Sequence, residues 1–200
     1  MKQDQFNNII KSNAQLIEQI RNSAHELHAS VNQFYDGHPY GFHLDMVADS
    51  VYRYGHLVCD NSDDVVPMLF GAYYHDSIED ARLTYNDVLN AASQFMDERK
   101  ALIATEIAYA LTNDKGRTRA ERAGEKYYNG IRETPYAPFV KLADRLANIK
   151  HSCIGGNQRM KQIYKEELPH FLQAIAPKTD DPRHSLPQPM IDAIMKLIED

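Results

Sequence analysis

The sequence predicts an all-α fold, and three observations predict it. Apolar residues recur at three- and four-residue spacing along most of the chain, strict apolar/polar alternation is hard to find, and Gly and Pro fall between the periodic runs. The 200 residues, 43% apolar and 25% charged, suffice for one sizeable core and are short for two.

Phe6, Ile9, Ile10, Leu16, Ile17 and Ile20 outline one face of a first amphipathic helix. A second run from Ala24 to about Phe34 follows a break expected at Asn22-Ser23. The punctuation of Tyr35-Asp36-Gly37-His38-Pro39-Tyr40-Gly41 marks an ordered loop, and a helix from near His43 to about Tyr54 follows it. Asp63 or Asp64 can cap the next helix, with Pro67 near its first turn. Met68, Leu69, Phe70, Ala72 and Tyr73 make that helix apolar on most sides, so it is expected to be central and buried all round up to His75. Thr84 can cap a helix to about Phe95, and Glu98 to Leu111 form another. Pro135 and Pro138 precede a helix carrying Val140, Leu142, Ala143, Leu146 and Ile149, which Gly155-Gly156 ends. The last long helix runs from about Arg159 to Ile175. Residues 1–176 therefore form the core, and 177–200 a Pro-rich connector with a short helix, Met190 to Glu199, that packs back on the body or on a second copy in a homodimer.

Composition excludes several functions. The 22 Lys and Arg against 28 Asp and Glu give a net charge of -6, which argues against a nucleic-acid polymer or an anionic membrane as partner. No run approaches the ~20 apolar residues of a membrane span, and the first residues do not read as a secretory signal. Only Cys59 and Cys153 are present, without CxxC spacing, so neither a disulfide framework nor a thiolate zinc site is expected and a cytoplasmic protein is. Nine histidines among many carboxylates remain as candidate metal ligands.

The strongest local signal is His75-Asp76-Ser77-Ile78-Glu79-Asp80, closing the apolar helix. Neighbouring His and Asp lie about 100° apart around a helix, so an imidazole nitrogen and a carboxylate oxygen can reach one ion. Glu79 would project near the same ion, close enough to contact a water beside it. Solvated carboxylates at a helix end fit the same hexapeptide. The second signal is Lys141-Leu142-Ala143-Asp144-Arg145-Leu146-Ala147-Asn148, whose Asp144 and Asn148 share one face of a core-packed helix; a surface salt bridge is the other reading of that acid.

Taken in order, these pieces resemble the HD-domain metal-dependent phosphohydrolases, and more narrowly the RelA/SpoT-type hydrolases of guanosine tetra- and pentaphosphate and the small alarmone hydrolases. The shared pieces are Pro39-Tyr40-Gly41-Phe42-His43, His75 to Asp80, Thr112-Asn113-Asp114-Lys115, Ala120-Glu121-Arg122 and Val140 to Asn148, spanning about residues 24 to 175. The resemblance implies an HD-type helical fold with its metal site at the end of the central buried helix. It implies one divalent ion, Mn²⁺ in most of the family, held by His43, His75, Asp76 and Asp144. Glu79, with Asp80, would orient a water or take its proton for attack on phosphorus. Lys115 and Arg145 would meet the phosphate charge, Arg119 and Arg122 less directly, and Asn148 and Tyr164 fall where similar enzymes touch the nucleotide. The substrate implied is a small-molecule nucleotide, an alarmone 3′-pyrophosphate first. A nucleoside monophosphate, a phosphorylated dinucleotide such as NADPH, or binding without turnover are the other readings.

The sequence departs from the family before Pro39, where Gln33 to His38 replaces basic residues, and at Leu44, where Pro is common. His25-Glu26-Leu27-His28 has its histidines three apart rather than the four of a zinc-protease helix, so both read as ordinary helix residues. His56, His151, His170 and His184 read as surface histidines, and most of the twelve tyrosines as filling a core without Trp.

Overall fold

A computed structural model describes residues 1–113 and 124–199. Among these, ten α-helices accompany a single two-stranded hairpin, and the fold is all-α as expected. The helices are α1 (Gln3–Ser12), α2 (Ala14–Ser30), α3 (Gly41–Tyr54), α4 (Val65–Tyr74), α5 (Tyr85–Ala92), α6 (Glu98–Ala110), α7 (Glu125–Glu133), α8 (Ala137–Ile154), α9 (Gln158–Ile175) and α10 (Gln188–Glu199). None of the described helices is long and apolar enough to cross a membrane.

The core is organised around α4, all ten residues of which are buried. A helix apolar on every side needs neighbours on every side, and α1, α2, α3, α6 and α8 supply them. The packing against α6 is close enough to require Gly71, because a Cβ there would stand 2.5 Å from Cγ2 of Ile107. Local signals set several ends. Thr84 and Asp87 form a reciprocal capping box at α5, and the Asp97 side chain accepts from the Lys100 amide at α6.

Four expectations are corrected. The break in the N-terminal helical run falls at Asn13, not at Asn22-Ser23: the Asn13 side chain donates to the Ile9 carbonyl at 2.8 Å and competes with helix continuation, whereas Asn22 and Ser23 lie inside α2. The segment read as a loop is a hairpin, β1 (Phe34–Tyr35) paired antiparallel with β2 (His38–Pro39). Asp36 (φ 47°) and Gly37 (φ 84°) turn it, the left-handed pair of a tight hairpin. Neither Asp63 nor Asp64 caps α4 with its side chain: Asn61 caps a short 3₁₀ turn ahead of it, and Asp64 is buried against Tyr136 and Arg99 at 2.9 and 3.1 Å. His184 is buried, not at the surface, and its Nδ1 lies 2.8 Å from the Arg132 carbonyl.

The C-terminal segment packs on the body. Met190, Ile194 and Ile198 of α10 are buried against α8 and α9, and the connector is pinned where the Tyr136 amide donates to the Arg183 carbonyl at 2.6 Å.

Candidate metal centre

Three elements deliver the candidate ligands. His43 lies in the first turn of α3, immediately after the hairpin. His75 follows the last residue of α4, and the chain then leaves the helix through turns, so the segment from His75 to Asp80 is not the helix end the spacing predicts. Asp144 comes from the middle of α8. All three are buried.

Their donor atoms converge. His43 Nε2 lies 3.3 Å from His75 Nε2 and 3.4 Å from Asp144 Oδ1, and His75 Nε2 lies 3.9 Å from the same oxygen. Asp76 adjoins this triangle, with Oδ2 2.8 Å from His75 Nε2 and 3.7 Å from His43 Nε2. His75 Nδ1 faces the Ala72 carbonyl at 2.9 Å, which places a proton on that nitrogen and leaves Nε2 as the nitrogen directed at Asp76 and Asp144. Buried acceptors aimed at one another repel unless a cation stands among them, so this donor set fits a metal ion. Two ligands each about 2.1 Å from an ion stand about 3.0 Å apart at a right angle and about 3.4 Å apart at the tetrahedral angle. The two shorter edges of the triangle fall in that range. The buried group His43, His75 and Asp144 is therefore able to hold a metal ion.

The electrostatics point the same way. Burial works against a charge on His75, yet Asp76 and then Asp144 outweigh it and hold the imidazole at about 9. Burial likewise opposes ionisation of the two aspartates. His75 nevertheless holds Asp76 well below the usual carboxylate range, and Lys141, His43 and His75 do so for Asp144. Lys141 Nζ sits 2.9 Å from Asp144 Oδ2, and despite its burial that aspartate keeps the ammonium charged. The carboxylates thus make the pocket favour positive charge despite its burial.

Two tyrosines complete the pocket. The Tyr40 hydroxyl donates to Asp76 Oδ2 at 2.5 Å, and burial followed by Asp76 pushes its phenol far above the ordinary range, so it remains a donor. Tyr35 of the hairpin stacks on His43, with centroids 4.6 Å apart and planes 18° from parallel. Its hydroxyl donates to Asn148 Oδ1 at 2.7 Å, and Asn148 Nδ2 donates to Asp144 Oδ1 at 2.6 Å. Sequence reasoning missed Tyr35, Tyr40 and Lys141 in these roles. Lys141, three residues before Asp144 on one helix face, carried a usable signal.

The remaining candidates are placed as follows. Glu79 is exposed and receives the Asn113 side chain at 2.8 Å. Asp80 is half-buried, its carboxyl raised by burial and by Asp76. Asn148 is in the ligand pocket. Arg145 pairs with Glu167 at 2.9 Å and lies over the rings of Phe171 and Tyr164, with Tyr164 itself buried, so both brace α8 against α9. Lys115, Arg119 and Arg122 lie outside the described residues. Comparison with protein-family models and with curated proteins finds no match.

Proposed function

We propose that this chain is a metal-dependent phosphohydrolase of the HD type acting on a nucleotide, with guanosine tetra- or pentaphosphate as the leading substrate and Mn²⁺ as the ion. The observation that carries this reading is the convergence of His43, His75 and Asp144 in a buried pocket, with Asp76 beside them, in the order the family motif has them. An ion held there supplies a Lewis acid for a phosphate oxygen and lowers the pKa of water.

In this reading the protein's own residues do the rest. Tyr40 holds Asp76, Asn148 and Lys141 hold Asp144, and the Ala72 carbonyl holds His75, so the ligand atoms are set before substrate arrives. Glu79, exposed beyond the turn and held by Asn113, would take the proton, the role its place in the motif assigns it. Lys115, outside the described residues, would meet the phosphate charge on the strength of the resemblance alone. Two neutral histidines, two aspartates and one divalent ion sum to a neutral cluster, so the net charge of -6 does not bar an anionic substrate from this site.

Mn²⁺-loaded protein assayed against a nucleotide panel tests the reading. Phosphate or pyrophosphate release should fall at least ~100-fold in Glu79→Gln with metal content unchanged. Nucleotide binding with no hydrolysis of any panel member would sink it.

A further inference from the structure

On the other side of α8 lies a second, unassigned cavity of about 600 Å³, bounded by α3, α8 and α10. Its size is that of a small-molecule site. Met46, Tyr52, Tyr54, Leu146 and Leu197 make an apolar wall, and Arg53, Lys150 and Lys196 stand around it with Asp49. At about 100° per residue, Leu146 and Lys150 occupy the face of α8 turned away from Asp144 and Asn148, so this cavity does not belong to the metal centre.

The charges are the informative part. Arg53, Lys150 and Lys196 are exposed, and among the described residues none makes an ion pair within 4.0 Å. Arg53 instead lies 5.4 Å from the Tyr54 ring centroid. Three cations against one carboxylate make a local positive excess on a chain whose net charge is -6. An apolar interior under a cationic rim is complementary to a molecule with an apolar chain and an anionic head.

We propose that this cavity binds a single-chain amphiphile with an anionic head, a medium-chain carboxylate, with the chain between α3, α8 and α10 and the head at Arg53, Lys150 and Lys196. The site does not depend on the hydrolase reading, since no residue is shared between the two pockets.

Calorimetric titration of the full chain with monomeric decanoate tests it. One equivalent should bind saturably, and affinity should rise about fourfold per methylene from octanoate to decanoate. Decyltrimethylammonium should bind at least tenfold more weakly. Lys150→Glu with Lys196→Glu, both at exposed positions, should weaken decanoate at least tenfold, and Ala193→Trp should block the cavity. Absence of saturable binding, equal affinity for the cationic amphiphile, or unchanged affinity in the charge-reversed variant overturns the proposal. So does pelleting with phosphatidylglycerol vesicles by a chain that takes up no decanoate, which would assign the patch to a lipid surface. A dimer whose interface excludes decanoate would overturn it in favour of a second copy.

Discussion

Tyr40 stands between two buried pockets, one holding His28 and the other His75 beside His43, and the two pockets treat His28 and His75 in opposite ways. His28 lies against the ring of Tyr40, centroids 4.5 Å apart and planes 14° from parallel, while His75 lies 2.8 Å from the carboxylate that the Tyr40 hydroxyl holds. Both are essentially inaccessible to solvent. Burial pulls His28 down to about 4, with Asp76 too weak an influence to reverse it, and among the described residues neither ring nitrogen of His28 has a hydrogen-bond partner. Against the same penalty His75 is held up at about 9 by Asp76 and Asp144. Burial alone therefore does not mark a metal or proton site; carboxylates within reach of the buried imidazole do.

The largest test removes that difference. Asp76→Asn combined with Asp144→Asn should abolish Mn²⁺ binding, and in the metal-free protein should drop the His75 titration from about 9 to below the ordinary 6.5, making it resemble His28. Leaving Lys141 without its partner should also cost about 3 kcal/mol of stability. Metal analysis and imidazole NMR titration check both, and a His75 that still titrates near 9 would break the comparison.

The pH dependence of stability sharpens it, because the two histidines contribute with opposite signs. His28 has a folded pKa of about 4 against 6.5 unfolded, so the unfolded chain binds the extra proton and stability is lost as pH falls from 6.5 to 4. The full loss is about 3 kcal/mol. In the metal-free protein His75 does the reverse: its contribution is complete below 6.5 and disappears as pH rises through about 9. Urea unfolding of wild type and His28→Phe at pH 7 and pH 4 isolates the first effect. The variant should gain about 3 kcal/mol on wild type between those pH values; a constant difference would show that His28 is already charged or solvated in the folded state.

What the sequence disclosed and withheld divides along this boundary. The all-apolar α4 and the Thr84 cap are local patterns, and the structure contains both. His75 and Asp76 were legible as metal candidates from their own hexapeptide, whereas His43 and Asp144 became candidates only through the resemblance of the ordered motifs to the HD-domain pattern. Tyr35, Tyr40 and His28 were not. Their contacts to His43, Asp76 and Tyr40 depend on how the hairpin and α2 lie against the helices, and among twelve tyrosines nothing local separates a ligand's partner from a core filler. The departure from helix after His75 was hidden for a different reason. The next residues have helical spacing, but the amides of Ser77 and Asp80 bond to Tyr74 and Asp76 in tight turns that direct Asp76 at His75.

The smallest test acts on Tyr40 itself. Tyr40→Phe keeps the ring stacked on His28 and removes only the hydroxyl that donates to Asp76 Oδ2. Without that donor Asp76 loses a fixed orientation beside His75, and loss of an outer partner of this type costs about tenfold in metal affinity. His28 keeps its apolar surroundings, so its titration near 4 should stay where it is. Mn²⁺ titration by calorimetry paired with NMR of His28 reads both pockets in one variant. Unchanged metal affinity would mean that Asp76 stands outside the ligand set and that His43, His75 and Asp144 hold the ion alone. A shifted His28 would mean that the hydroxyl, rather than burial, governs the pocket behind the ring.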